Sequence, residues 1–102
     1  MRYLLFRKDR PGMAEKRAEL QPAHAAYQEP FLPLIVYGGG LVGDMVETSG
    51  KVDIRDVAGN ILVFDADRAT VEDFHKNDPY TKADLFEVAY VEAVWQRVPA
   101  VD

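Results

Sequence analysis

Apolar residues along the chain fall in short blocks separated by charge and by turn formers, and their period changes from block to block. RYLLFRK, Arg2 to Lys8, is an apolar run bounded by charge and followed by Asp-Arg-Pro-Gly, which predicts a strand ending in a turn. From Ala14 helix formers take over, and Leu20, His24, Tyr27 and Phe31 recur at spacings of four, three and four on one stripe. Pro22 leaves two readings of this helix. Either it kinks there, or a second segment begins there, which would put His24 in a first turn where the helix dipole favours a neutral imidazole. Pro30 and Pro33 close the region, and LIVYGGGLVG, Leu34 to Gly43, reads as a buried strand running into glycines. Asp44 to Ala58 reads as a loop or an extended hairpin excursion, and Gly59 to Asp67 as the third strand. Thr70 followed by Asp73 resembles a capping box opening a second helix, with Val71 and Phe74 as its buried pair. That helix has to stop near Asn77, because Pro79 pushes the residue before it out of the helical region, and Asp78 therefore sits at its exit. Val88 to Val98 alternates as the last and longest strand.

The resulting order, β-α-β-β-α-β, predicts a ferredoxin-like α+β fold, a four-stranded antiparallel sheet with both helices on one face. Such a sheet leaves its other face bare. Here strand one is apolar on both sides, Tyr3 and Leu5 against Leu4 and Phe6, and so is strand three, Leu62 and Phe64 against Ile61 and Val63. A second copy packed sheet to sheet is the simplest cover, so a homodimer is expected.

Composition narrows the function. A chain of 102 residues with 48% hydrophobic content suits a single globular domain spanning residues 1–102. A formal net charge of −5 without any Lys/Arg cluster speaks against nucleic acid and anionic membranes as partners. Cysteine is absent, which removes thiolate nucleophiles and thiolate metal sites. The apolar run near Met1 is too short for a signal peptide or a membrane span, so a cytoplasmic protein is expected. Gly38 to Gly40 are not followed by the Lys-Ser/Thr of a phosphate loop and do not open a helix as a dinucleotide fingerprint does, so no nucleotide cofactor is expected.

The remaining proton carriers are His24, His75 and the carboxylates. With the two helices side by side on the sheet, His24 faces the end of the second helix, where Asp78 is placed to meet it. A carboxylate beside an imidazole fixes its tautomer. The pair suits general acid–base catalysis, and equally suits an ordinary structural contact. His75 shares its helix with Glu72, Asp73 and Lys76 and reads as solvated. A metal would need three convergent ligands, and His24, Asp78 and His75 supply them only if His75 turns inward, so no metal is expected.

PAHAAY in the first helix, and NDPYTKADLFE (Asn77 to Glu87) running into VAYVEAVW, carry a specific resemblance, with GGGLVGD and AGNILVF matching more loosely. Together they resemble the YCII-related (YciI-like) family over nearly the whole chain. The resemblance implies a sheet-packed dimeric α/β barrel and a site centred on a histidine and an aspartate, which fall on His24 and Asp78. On the substrate side it implies Tyr80, Asn60, Gly40 and Tyr27. Asn60 stands where the family often has Ser, Gln21 where Arg is usual, Leu41 where Pro is common and Asp84 where Gly is common. The implied activity is cofactor-free acid–base chemistry of lyase, isomerase or dehydrochlorinase type on a small cyclic or aromatic-derived metabolite. His24 would move the proton, Asp78 would orient it, and Tyr80 and Asn60 would bond a carbonyl or enolate. The alternatives are a non-catalytic metabolite-binding or accessory module, and a structural dimerisation unit whose cleft is filled by Tyr27 and Phe31.

Overall fold

The computed structural model describes residues 1–100. Four strands, β1 (Arg2–Asp9), β2 (Ile35–Val42), β3 (Val57–Asp65) and β4 (Phe86–Val94), alternate with α1 (Ala14–Gln28), α2 (Arg68–Asn77) and a short α3 (Pro79–Lys82). Single 3-10 segments at Glu29–Leu34 and Ile54–Asp56 lead into β2 and β3. The sheet runs β2-β3-β1-β4 with every neighbouring pair antiparallel, the ferredoxin-like arrangement.

Strand alternation decides which side chains reach the helices. On β1 these are Tyr3, Leu5, Arg7 and Asp9, and on β3 Asn60, Leu62 and Phe64. Leu5, Leu62 and Phe64 meet Val71 and Phe74 of α2 in the main core, with Tyr27 and Phe31 packed against it. A second cluster, Tyr80, Leu85 and Phe86, closes the end of the sheet beside α3. On the opposite face the register lines up Leu4, Phe6, Ile61, Val63 and Tyr90, with the Phe6 and Tyr90 rings stacked at 5.0 Å.

Several expectations are corrected. α1 runs through Pro22 unbroken, because the proline is exposed and Ala18, whose carbonyl loses its partner, is only partly buried. His24 thus lies in the second half of a continuous helix, away from the N-terminus of α1. Asp67, not Thr70, caps α2, its carboxylate accepting from the Thr70 backbone N–H at 2.8 Å; an anionic cap also complements the helix dipole. β2 is an edge strand with irregular pairing, and no residue in it is fully buried; Tyr37 is 59% exposed. β3 starts at Val57 and ends at Asp65, two residues earlier at each end than expected, and β4 spans Phe86–Val94, leaving Trp95 and Val98 exposed. The helical turn α3 was not anticipated. Asp78 ends α2 and caps α3, with Pro79 at the first position of the new helix, where proline costs nothing.

Gly59 shows why β1 and β3 lie so close at this end. Its φ is +149°, and a Cβ there would stand 2.3 Å from the Arg7 carbonyl oxygen. Only glycine admits that approach, which sets Asn60 beside Arg7 on the helix side.

Candidate functional site

The helix side of β1 changes from apolar to charged as it nears α1 and α3. Arg7 has no exposed surface, yet it carries a full charge between the aromatic rings of Phe74 and Phe86, its guanidinium carbon 4.5 Å from the Phe86 ring centre. Its polar contacts make the burial tolerable. Nη1 donates to Asp78 Oδ2 at 3.0 Å, and Nε donates to Asn60 Oδ1 at 3.1 Å. Nη2 is buried with no acceptor among the described residues.

Asp78 collects donors from three elements. Its oxygens lie 2.9 and 3.0 Å from His24 Nδ1, and Oδ1 accepts the Tyr80 backbone N–H at 2.9 Å. Burial alone would raise the Asp78 pKa, but the hydrogen bond from His24 and the Arg7 charge overcome it and hold the carboxyl below its usual range. An ionised carboxylate can only accept, so Nδ1 of His24 is the protonated nitrogen and Nε2 of the neutral ring keeps its lone pair. The Tyr80 ring stacks on the imidazole at 4.2 Å between centres, nearly parallel, and covers one face of it.

One turn pair earlier on α1, Arg17 is held by Asp9 through two bonds of 2.7 Å and lies over the Tyr80 ring at 4.6 Å. Burial disfavours the Arg17 charge, but the Asp9 contacts outweigh it and raise its pKa. Burial raises the Tyr80 phenol, which therefore stays protonated.

These groups border a cavity of about 360 Å³ between α1 and the sheet, lined by Arg17, Gln21, His24, Gly40, Asn60 and Tyr80 among others. Its floor is open because β2 supplies glycine there; a Cβ at Gly38 would come within 2.9 Å of Leu62 Cδ2, and one at Gly40 within 3.0 Å of Val57 Cγ1. Ile54 also lines it, so the end of the loop before β3 reaches the cavity.

Of the expected site residues, His24, Asp78, Tyr80, Asn60 and Gly40 come together. Tyr27 does not join them: it packs in the core and its hydroxyl donates to the Phe74 carbonyl at 3.0 Å. His75 is not a solvated residue; its Nδ1 lies 3.4 Å from Arg7 Nη1 and 3.3 Å from Thr81 Oγ1, and burial with the Arg7 charge lowers its pKa. It turns to Arg7 rather than to Asp78, and among the described residues no three His, Cys, Asp or Glu side chains converge on a metal-sized site. Arg7, Arg17 and Asp9 were missed. Their signal was the strand alternation that puts Arg7 and Asp9 on the same face as Tyr3 and Leu5, hidden by treating them as the charged border of an apolar run.

The solved structures similar to this chain include a dehydrochlorinase and a NIPSNAP family protein, and no curated protein matches the chain. The 5-chloro-2-hydroxyhydroquinone dehydrochlorinase TftG from Burkholderia phenoliruptrix AC1100, in complex with 2,5-dihydroxybenzoquinone, superposes with a TM-score of 0.81 at 38% identity over 94% of each chain. A NIPSNAP family protein from Agrobacterium tumefaciens str. C58 has a TM-score of 0.55 at 16% identity, covering 97% of this chain and 94% of its own, and shares the fold alone. The profile of the YCII-related domain matches residues 1–94. With His24 and Tyr80 lining one cavity on this fold and Asp78 bonded to His24, the chain, matched by that profile over residues 1–94, belongs to the YCII-related domain family.

Proposed function

We propose that the protein is an enzyme that moves a proton on a small cyclic, oxygen-bearing metabolite, with His24 as the proton carrier and no cofactor in the step. The observation that carries this is the pairing of His24: Nδ1 is held by an ionised Asp78, Nε2 is bonded by no side chain among the described residues, and His24 lines the cavity. In the step, Nε2 takes a proton from the substrate. The released electron pair moves into the ring system, and it either expels a leaving group or is reprotonated at another carbon. Elimination loses a proton and an anion together, so neither path needs an oxidant. Asp78 stabilises the imidazolium that forms, and donors on the cavity wall stabilise charge on a substrate oxygen. Tyr80 covers one face of the imidazole by stacking.

The dehydrochlorinase named above supports this choice, since loss of HCl from a hydroxylated ring is a redox-neutral elimination of this type. The cavity beside His24 supports this reading over a dimerisation unit with a filled cleft, because Tyr27 and Phe31 pack against the core. The apolar row Leu4, Phe6, Ile61, Val63 and Tyr90 supports a homodimer packed through that face.

The test is turnover of 5-chloro-2-hydroxyhydroquinone, followed as chloride release, in wild type and His24→Ala. A base of this kind contributes about 10²- to 10⁴-fold, and the variant should lose that much. Binding of ring metabolites without any turnover, unaltered by His24→Ala, would favour a binding module instead.

A further inference from the structure

Asn60 lies between Arg7 on β1 and Gly40 on β2, paired with both across the sheet on the helix side. Arginine has no acceptor, so the atom that Arg7 Nε bonds at 3.1 Å is the Asn60 carbonyl oxygen. The amide is planar, and its Nδ2 group then points away from Arg7. Nδ2 has no hydrogen-bond partner among the described residues, and Asn60 lines the cavity. Gly40, with no side chain, leaves the space in front of it open.

The wall has a surplus of donors. The acceptors near it are used internally: Asp9 by Arg17, Asp78 by Arg7, His24 and Tyr80, and Asn60 Oδ1 by Arg7. Arg17 lines the cavity, spends Nε and Nη2 on Asp9 and has its remaining edge beside the Tyr80 phenol, while Arg7 Nη2, behind the wall, is buried without an acceptor among the described residues. The exceptions are the basic nitrogen of His24 and the amide oxygens of Gln21 and Gln28, whose amide groups also donate. A ligand therefore fits if it brings acceptor oxygen to Asn60 and Arg17 and an acidic proton to His24.

We infer that Arg7 is a positioning residue that locks Asn60 as a hydrogen-bond donor, so that the cavity selects ring metabolites presenting a carbonyl or ionised oxygen to Asn60 and Arg17. This rests on the proposed function and specifies its substrate class: hydroxylated cyclic ketones, enols and quinones, ahead of neutral phenols. Asn60→Asp tests it with almost no change of shape. One carboxylate oxygen keeps the Arg7 contact, and the other turns the cavity-facing donor into an anionic acceptor.

The probe is 2,5-dihydroxybenzoquinone, with hydroquinone as the neutral comparison. In 15N-labelled protein, the probe should shift both the Asn60 side-chain amide and the His24 ring signals. By calorimetry, Asn60→Asp should weaken its binding about tenfold or more. Asn60→Ser, which has no charge to bury, should weaken it less and serves if the aspartate variant does not fold. Arg7→Lys keeps the charge but frees the amide to turn, so the preference for the probe over hydroquinone should shrink; a merely structural role would weaken both alike. If His24 signals shift while Asn60 signals do not, or if Asn60→Asp and Asn60→Ser bind the probe as wild type does, the donor assignment is overturned and the proposed function stands. If the probe moves neither residue, the ring-metabolite function falls and the inference falls with it.

Discussion

Arg7 and Asp78 form an ion pair at 3.0 Å in which neither side chain has exposed surface. Each charge is tolerable only because the other is there, since an unpaired ion at such a site has neither water nor a counter-charge. Removing Arg7 while keeping its stem volume, as in Arg7→Met, should cost about 3–5 kcal/mol of stability. The double variant Arg7→Met with Asp78→Asn should recover part of that loss. Urea unfolding of Arg7→Met, Asp78→Asn and the double variant measures it, and a double-variant loss equal to the sum of the two single losses would show that the pair is not coupled.

Asp78→Asn tests orientation under conditions where the variant is still folded, since it also leaves Arg7 without its counter-charge. Asparagine can still approach His24 Nδ1, but it no longer compels that nitrogen to be the donor and no longer stabilises an imidazolium. Turnover should fall by about 10²-fold or more, with KM changed far less. A loss confined to KM would make Asp78 a substrate contact instead.

Stability should decline on acidification in two stages of the same sign. The His75 pKa is lowered by burial and by Arg7, so below its ordinary value of 6.5 the unfolded chain takes the proton first and folding loses ground. The stabilisation from Asp78 is present above the ordinary carboxyl value of 3.8 and is lost as pH falls through its lower folded pKa. Unfolding free energies of wild type and His75→Gln across this range check the first stage. The variant should show a shallower decline just below 6.5; parallel curves would remove His75 from the account.

Gly59→Ala should destabilise the fold by about 2–3 kcal/mol, through a strained positive φ and a Cβ pressed on the Arg7 carbonyl. Gly40→Ala meets only the tip of Val57 and should leave the melting temperature almost unchanged while narrowing the cavity. Thermal melts beside ligand affinity distinguish the two, and similar melting losses would contradict the separate roles given to these glycines.

Phe6 and Tyr90 stack on the sheet face away from the helices. Phe6→Glu should convert a dimer to a monomer in sedimentation at micromolar concentration, with the secondary structure kept. A wild-type chain that already sediments as a monomer would remove the proposed sheet-to-sheet contact.

The strand and helix order was legible because the period of apolar residues changes cleanly at Ala14, Leu34, Gly59 and Thr70. His24 and Asp78 were legible because a helical stripe and a proline-fixed helix end place them opposite each other. Other features depend on contacts distant in sequence. Whether Pro22 breaks α1 depends on how wet its side of the helix is, and Asp67 competes with Thr70 for the cap in a way that spacing alone does not decide. The largest omission was Arg7. A charge at the edge of an apolar run reads as solvated unless its partner is known, and that partner lies 71 residues away. Arg17 was hidden in the same way by Asp9, and His75 by the charged neighbours on its own helix.

The most direct measurement is the tautomer of His24, read from long-range 1H–15N correlations at alkaline pH, where an imidazole is neutral. The account predicts the proton on Nδ1, facing Asp78, with an unprotonated Nε2 whose signal moves when 2,5-dihydroxybenzoquinone is added. A proton on Nε2 would contradict it, because His24 would then have no basic nitrogen to offer the cavity.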